Sequence, residues 1–153
     1  MKLLHTLAIA MALLASACSS VDDRVSAAIG RAVRDQQMKE IRIAALTDFA
    51  WEKVYLFGPY APRAQVCEVL GVEARQCERV VPFEAMDDGI MSLAFVSGTQ
   101  VVRYARHSRL NGDFTPVASR QPIPASEAVF KVVPSGLAQD GRPWLKLVRG
   151  VPS

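Results

Sequence analysis

Side chains of the kinds that do chemistry are few in this sequence, and they are scattered. There are two histidines, His5 and His107. His5 falls in an apolar N-terminal run, so acid–base or nucleophilic work would rest on His107. A Ser–His–acid arrangement needs a hydroxyl that the imidazole can activate and an acid that orients the ring. Neither Ser97 nor Ser108 stands in a G-x-S-x-G elbow or any related context. The adjacent carboxylates Asp87 and Asp88 precede Gly89, which is the composition of a turn rather than of a general acid and base. No glycine loop of the phosphate-cradling type is present. The expectation is a protein without catalysis or cofactor. A small enzyme using His107 with a nearby acid is kept as an alternative.

Two stretches could bind rather than react. RYARHSRL, residues 103–110, is the densest basic segment. In an extended strand Arg103, Ala105, His107 and Arg109 share one face, and the three basic groups could cradle a phosphate or carboxylate. The competing reading is an outer sheet face kept wet to guard an edge. FAWEKVYLFGPY, residues 49–60, carries five of the chain's eleven aromatic side chains. From Val54 to Phe57 both strand faces are apolar, as expected of a central strand buried on both sides. Trp51, Glu52 and Tyr60 flank that run. They read either as core or as the rim of a binding surface, where Tyr and Trp beside a polar neighbour are favoured.

The N-terminus specifies a destination. Lys2 precedes the run LLHTLAIAMALLASA, which is too short to span a bilayer comfortably and is closed by small residues, the pattern of a secretory signal. Its ending, Ala15-Ser16-Ala17-Cys18, is similar to the lipobox of bacterial lipoproteins, in which the cysteine is lipidated and becomes the new N-terminus. Ordinary signal cleavage giving a soluble periplasmic or secreted protein is the alternative, as is an uncleaved anchor. Ser19, rather than Asp, follows the cysteine, which implies an outer-membrane lipoprotein facing the periplasm. Several acyl chains, at about 0.8 kcal/mol per buried methylene, make a lasting anchor.

With Cys18 assigned to lipid, Cys67 and Cys77 remain as a pair in an oxidising compartment, and a structural disulfide is expected. A redox motif would want two intervening residues rather than nine. A metal site would need further His or Cys at ligand spacing, so none is expected. The formal net charge of +3 drops by one when Lys2 leaves, a near balance that argues against a nucleic-acid partner.

The elements that must position these residues follow from periodicity. Residues 20–39 read as an amphipathic helix with Val21, Val25, Ala28, Ile29, Ala32 and Val33 on one stripe, Ser20 as cap and Gly30 as a blemish. Strands are predicted over Glu40–Leu46 and Lys53–Phe57, then a helix over Pro62–Leu70 closed by Gly71. Residues 72–89 read as irregular. IMSLAFV and QVVRYARH flank SGT as a hairpin, Asn111-Gly112-Asp113 closes a longer strand or begins a second turn, residues 114–127 form a Pro-rich loop, and AVFKVVP pairs with WLKLVRG. The expected fold is α+β, an antiparallel sheet of five or six strands packed by the N-terminal helix and a second short helix. Residues 1–17 are the signal, 18–40 the lipidated cysteine, tether and helix, and 41–153 a single domain.

DFAWEKVYLFGPYAPRAQVCEVLG, the LAFVSGTQVV hairpin, RLNGDF and AVFKVV together resemble a group of small bacterial lipoproteins with an aromatic-Trp-acid-x-x-Tyr-x-Phe-x-Pro-Tyr signature and a later Gly-Asp-Phe. Trp51, Glu52, Tyr55, Phe57, Pro59 and Tyr60 match the signature, with Glu52 where Asp is expected, and Gly112, Asp113 and Phe114 match the second motif. The resemblance implies membership and no activity. PRAQVCEVLG is also similar to a helix of small lipoproteins that assist outer-membrane barrel assembly. The function expected is a lipid-anchored, non-catalytic binding or structural module whose partners are the membrane and an envelope protein. The alternative is a periplasmic inhibitor or immunity-type protein that blocks a hydrolase through the loop Phe114–Ser126.

Overall fold

The computed structural model describes residues 22–150; Ser20, Val21 and the signal and Cys18 assignments lie outside the described residues. The chain is α+β, as expected. Helix α1 (Arg24–Gly30) continues through one π-type turn, Arg31–Asp35. It buries Val25, Ile29, Ala32 and Val33 of the predicted stripe and leaves Ala28 half-buried, and it ends at Asp35, short of the predicted residue 39. Gly30 is not a blemish. A Cβ there would lie 2.7 Å from Asn111 Oδ1, so the missing side chain admits Asn111, whose Nδ2 donates to Ser26 O and Oγ at 3.1 and 3.0 Å.

The strands form two antiparallel sheets where one was expected. Strands β1 (Glu40–Arg42), β6 (Val129–Leu137) and β7 (Pro143–Arg149) make one, in the order β1-β6-β7. The other holds β2 (Lys53–Phe57), β3 (Ile90–Ser97), β4 (Gln100–Ser108) and the two-residue β5 (Ile123–Pro124), in the order β4-β3-β2-β5. The predicted first strand stops at Arg42 because Ile43–Leu46 turns into a single 3-10 stretch with Ile43 wholly buried. The segment read as irregular contains helix α3 (Ala74–Val80), which follows α2 (Arg63–Leu70). Pro62 caps α2, and Gly71 ends it at φ +67°, a left-handed conformation that suits glycine.

β2 lies inside the four-stranded sheet, and that sheet is covered on both faces. Val54, Leu56, Met91, Leu93, Phe95 and Ala105 face α1 and the three-stranded sheet in the main core. Phe57, Ala94 and Tyr104 face a smaller core closed by Val66, Cys67, Cys77 and Val81 of the α2–α3 hairpin. The Cys67–Cys77 disulfide ties those helices together with Cα atoms 5.8 Å apart. Closing so short a loop contributes about 2–3 kcal/mol in the chain-entropy account. Beyond Pro134 the β6–β7 hairpin is exposed, with Leu137 at 73%. Among the described residues no helix is long and apolar enough to cross a membrane.

Candidate functional site

His107 is in β4 but points into the main core, fully buried against Phe114, with ring centroids 5.2 Å apart. Its Nε2 lies 2.7 Å from Gly112 O. A carbonyl only accepts, so Nε2 carries the proton, while Nδ1 has no partner among the described residues. Burial pushes the imidazole pKa down to about 4, against weaker opposing effects from the Gly112 hydrogen bond and the Asp113 charge. His107 is therefore a neutral core residue. No surface anion can reach it.

The turn after β4 is where the chemically rich side chains do converge. Asn111-Gly112-Asp113-Phe114 sends each residue to a different element. Asn111 holds α1, as above. Gly112, at φ +132°, accepts from His107 and leaves the space that a Cβ would contest with Leu147 Cδ1 at 2.6 Å. Asp113 exchanges backbone hydrogen bonds with β7, its N–H to Leu145 O and its carbonyl from Leu147 N, both 2.8 Å. Phe114 packs edge-on against Phe130 of β6 at 4.9 Å.

The Asp113 carboxylate is wholly buried and accepts on both oxygens. Arg109 Nε and Thr115 N and Oγ1 reach Oδ1 at 3.0, 2.9 and 2.8 Å; Arg109 Nη2, Trp144 Nε1 and Lys146 Nζ reach Oδ2 at 3.1, 2.9 and 2.6 Å. Burial by itself would raise its pKa, but the hydrogen bonds from Arg109, Lys146 and Thr115 outweigh it and hold the carboxyl far below the usual range. A carboxylate with so many donors has no lone pair left for a substrate proton or a metal. The arrangement is a latch between the two sheets. In the sequence NGD reads as the close of a strand or the start of a turn, with Gly112, Asp113 and Phe114 matching the second motif; the signal for a buried Asp113 is an Asn-Gly pair leading straight into an acid and a core aromatic.

The three groups that could have cradled an anion go to separate partners, and they do not line a wet outer face either, since His107 is buried. Arg103 Nη1 bonds Asp22 Oδ2 at 2.8 Å, and its guanidinium lies over Phe49, 4.7 Å from the ring centroid. Arg109 belongs to Asp113, and His107 is interior. Asp22 itself is held by Arg103 and by Arg24, whose backbone N–H and Nε donate to Oδ1 at 3.0 and 3.3 Å. Burial would raise the Asp22 carboxyl; the Arg24 hydrogen bonds and the Arg103 charge bring it below its ordinary value.

The aromatic rim also separates. Trp51 packs edge-on against Phe95 at 5.0 Å and donates from Nε1 to Thr47 Oγ1 at 2.9 Å, a scaffold role. Glu52 caps the β3–β4 turn, accepting from Gly98 N at 2.9 Å. Tyr60 lies past the opposite end of β2. It is 54% exposed, and its φ of +61° is rare for a residue with a Cβ. Its N–H bonds Ala85 O at 2.7 Å, which brings the backbone beside the neighbour of Met86, itself 69% exposed. The loop Phe114–Ser126 is pinned at both ends, by buried Phe114 and by Ile123 in β5. It roofs a cleft of ≈ 350 Å³ floored by Leu56, Phe130 and Leu147. Among the described residues no group of three or more His, Cys, Asp or Glu could hold a metal.

No known protein family, curated protein or solved structure matches this chain.

Proposed function

We propose that this chain is a lipid-anchored protein of the cell envelope, set in the outer membrane and facing the periplasm, that works by binding and not by catalysis. The observation that carries the reading is Ala15-Ser16-Ala17-Cys18 at the end of an apolar export run. The fate of the reactive side chains supports its second half. His107 is buried and neutral, the Asp113 carboxylate is saturated, and Arg103 and Arg109 are each held by an aspartate. Of the candidate rim only Tyr60 stands free, and a left-handed tyrosine costs on the order of 1 kcal/mol that an exposed loop could avoid with glycine. Such strain at an exposed aromatic suits a contact residue, and the exposed Met86, next in the chain to the Ala85 carbonyl that Tyr60 N–H bonds, offers a pliable apolar side chain.

Replacing Cys18 with Ala tests the anchor. The wild-type chain should partition into the membrane and detergent phases, and C18A should be released to the aqueous phase. Equal membrane partitioning of the two would sink the lipoprotein reading.

A further inference from the structure

We propose that the domain sits on its bilayer in one orientation, with the N-terminal end of α1 and the adjoining edge of β4 turned to the lipid surface. The proposal rests on the reading that Cys18 carries the lipid, and deepens it by naming the face that the membrane meets.

Covalent geometry sets the reach. Cys18 and Asp22 are four residues apart. Even fully extended, that chain spans at most about 14 Å. A domain of this length has a radius of gyration of about 14 Å and hence a diameter of about 36 Å. The tether is less than half that diameter, so the domain cannot roll over its own anchor.

The start of the domain is also fixed in place. Asp22 O accepts from Arg106 N at 3.0 Å and its backbone bridges Ala105 in parallel, on the side of β4 away from β3. Its carboxylate is gripped by Arg103 at 2.8 Å and by the Arg24 N–H at 3.0 Å. Arg103 in turn covers Phe49, which packs edge-on against Phe95 of the main core at 5.2 Å. The tether cannot lengthen by peeling Asp22 away without breaking this chain of contacts.

Around this point arginines 24, 31, 103 and 106 stand against aspartates 22, 23 and 48, a near balance of charge. Orientation is therefore a matter of reach rather than attraction, and added salt should leave it in place.

The test uses the full acylated chain in phosphatidylethanolamine–phosphatidylglycerol vesicles bearing a headgroup quencher. With Cys18 acylated and Cys67 bonded to Cys77, an introduced cysteine is the reactive thiol for a fluorescent reporter. Ala27→Cys places it on exposed α1 surface, one turn from Asp23; Leu137→Cys places it on the exposed outer part of the β6–β7 hairpin. Quenching at 27 should exceed that at 137 several-fold, at low and high salt alike. A twelve-residue Gly-Ser insert between Ser19 and Ser20 should abolish the difference. Equal quenching with the native tether overturns the orientation. The mass of the N-terminal peptide reads acylation independently: an unacylated Cys18 overturns the anchor and the orientation with it, whereas an acylated chain with equal quenching overturns the orientation alone.

Discussion

Asp113 has six donor contacts on two carboxylate oxygens and no exposure to water. Two of the donors are cations, so removing the negative charge leaves Arg109 and Lys146 facing each other across a buried gap. Asp113→Asn should cost about 3 kcal/mol or more, the scale of a broken buried ion pair, read as a lower urea midpoint. Asp140→Asn, which breaks a fully exposed pair with Arg142, should leave the midpoint unmoved. Tyr60 makes the opposite case. Tyr60→Gly should raise stability by about 1 kcal/mol through relief of the left-handed backbone, while weakening any partner contact made by the aromatic ring. A fall in stability would show that the ring serves the fold. At this scale the sequence misled in one instructive way. Alternation puts Arg103, Ala105 and His107 on one face of β4, opposite Phe95, Leu93 and Met91, but the strand ends at Ser108 and Arg109 lies in the 3-10 turn beyond it; nor can alternation say which face is inside. The polar look of that face came from its ends, where Arg103 and Arg109 reach buried or half-buried aspartates, while Ala105 and His107 between them are core.

Elements set by local signals were legible: α2 between Pro62 and Gly71, the β3–β4 and β6–β7 hairpins, and the doubly buried β2. Each depends on turn chemistry or periodicity within a dozen residues. Helix α3 was not legible because ARQCERV buries only Cys77, so no apolar stripe announces it. Strand β5 is two residues long, one of them proline, and exists only because Val54 is there to pair with Ile123. The same limit applies to Gly30, whose value lies in a residue 81 positions away in sequence. A mid-helix glycine replaced by alanine ordinarily gains about 1 kcal/mol. Here Gly30→Ala should instead lose about 1–2 kcal/mol, since Asn111 must give up its hydrogen bonds to Ser26. In an Asn111→Ala background the sign should revert, a coupling that a double-mutant cycle would measure.

For the whole molecule, the division into two sheets was beyond local reading, because it turns on β1 pairing with β6 and on β2 pairing with β5 across long stretches of chain. One consequence of closing the core over His107 is acid lability. The folded imidazole titrates near 4, below its ordinary 6.5, so between those values the unfolded chain binds the extra proton. Stability is full above pH 6.5 and declines as the pH falls towards 4, by about 3 kcal/mol in all. Asp113, whose folded pKa is depressed, adds a further loss as the pH falls below its ordinary 3.8. Urea midpoints measured between pH 7.5 and 4 should show the decline in the wild type. His107→Gln should start lower at pH 7.5 and run nearly flat; a parallel decline in both would remove His107 as its cause.

The turn at Asn111–Phe114 has a further consequence, for how the sequence can drift. Its four residues answer to different neighbours: α1, the His107 ring with Leu147, the buried cations, and Phe130. No single neighbour can adjust to suit a change in more than one of them. A saturation library selected for folding should accept almost nothing at these positions, yet pass most substitutions a few residues on, at Ala118, Arg120 and Gln121, whose side chains face solvent. Mutational tolerance along the chain should step sharply upward just past Val117, which still packs against the main core, with no gradual rise from core to loop.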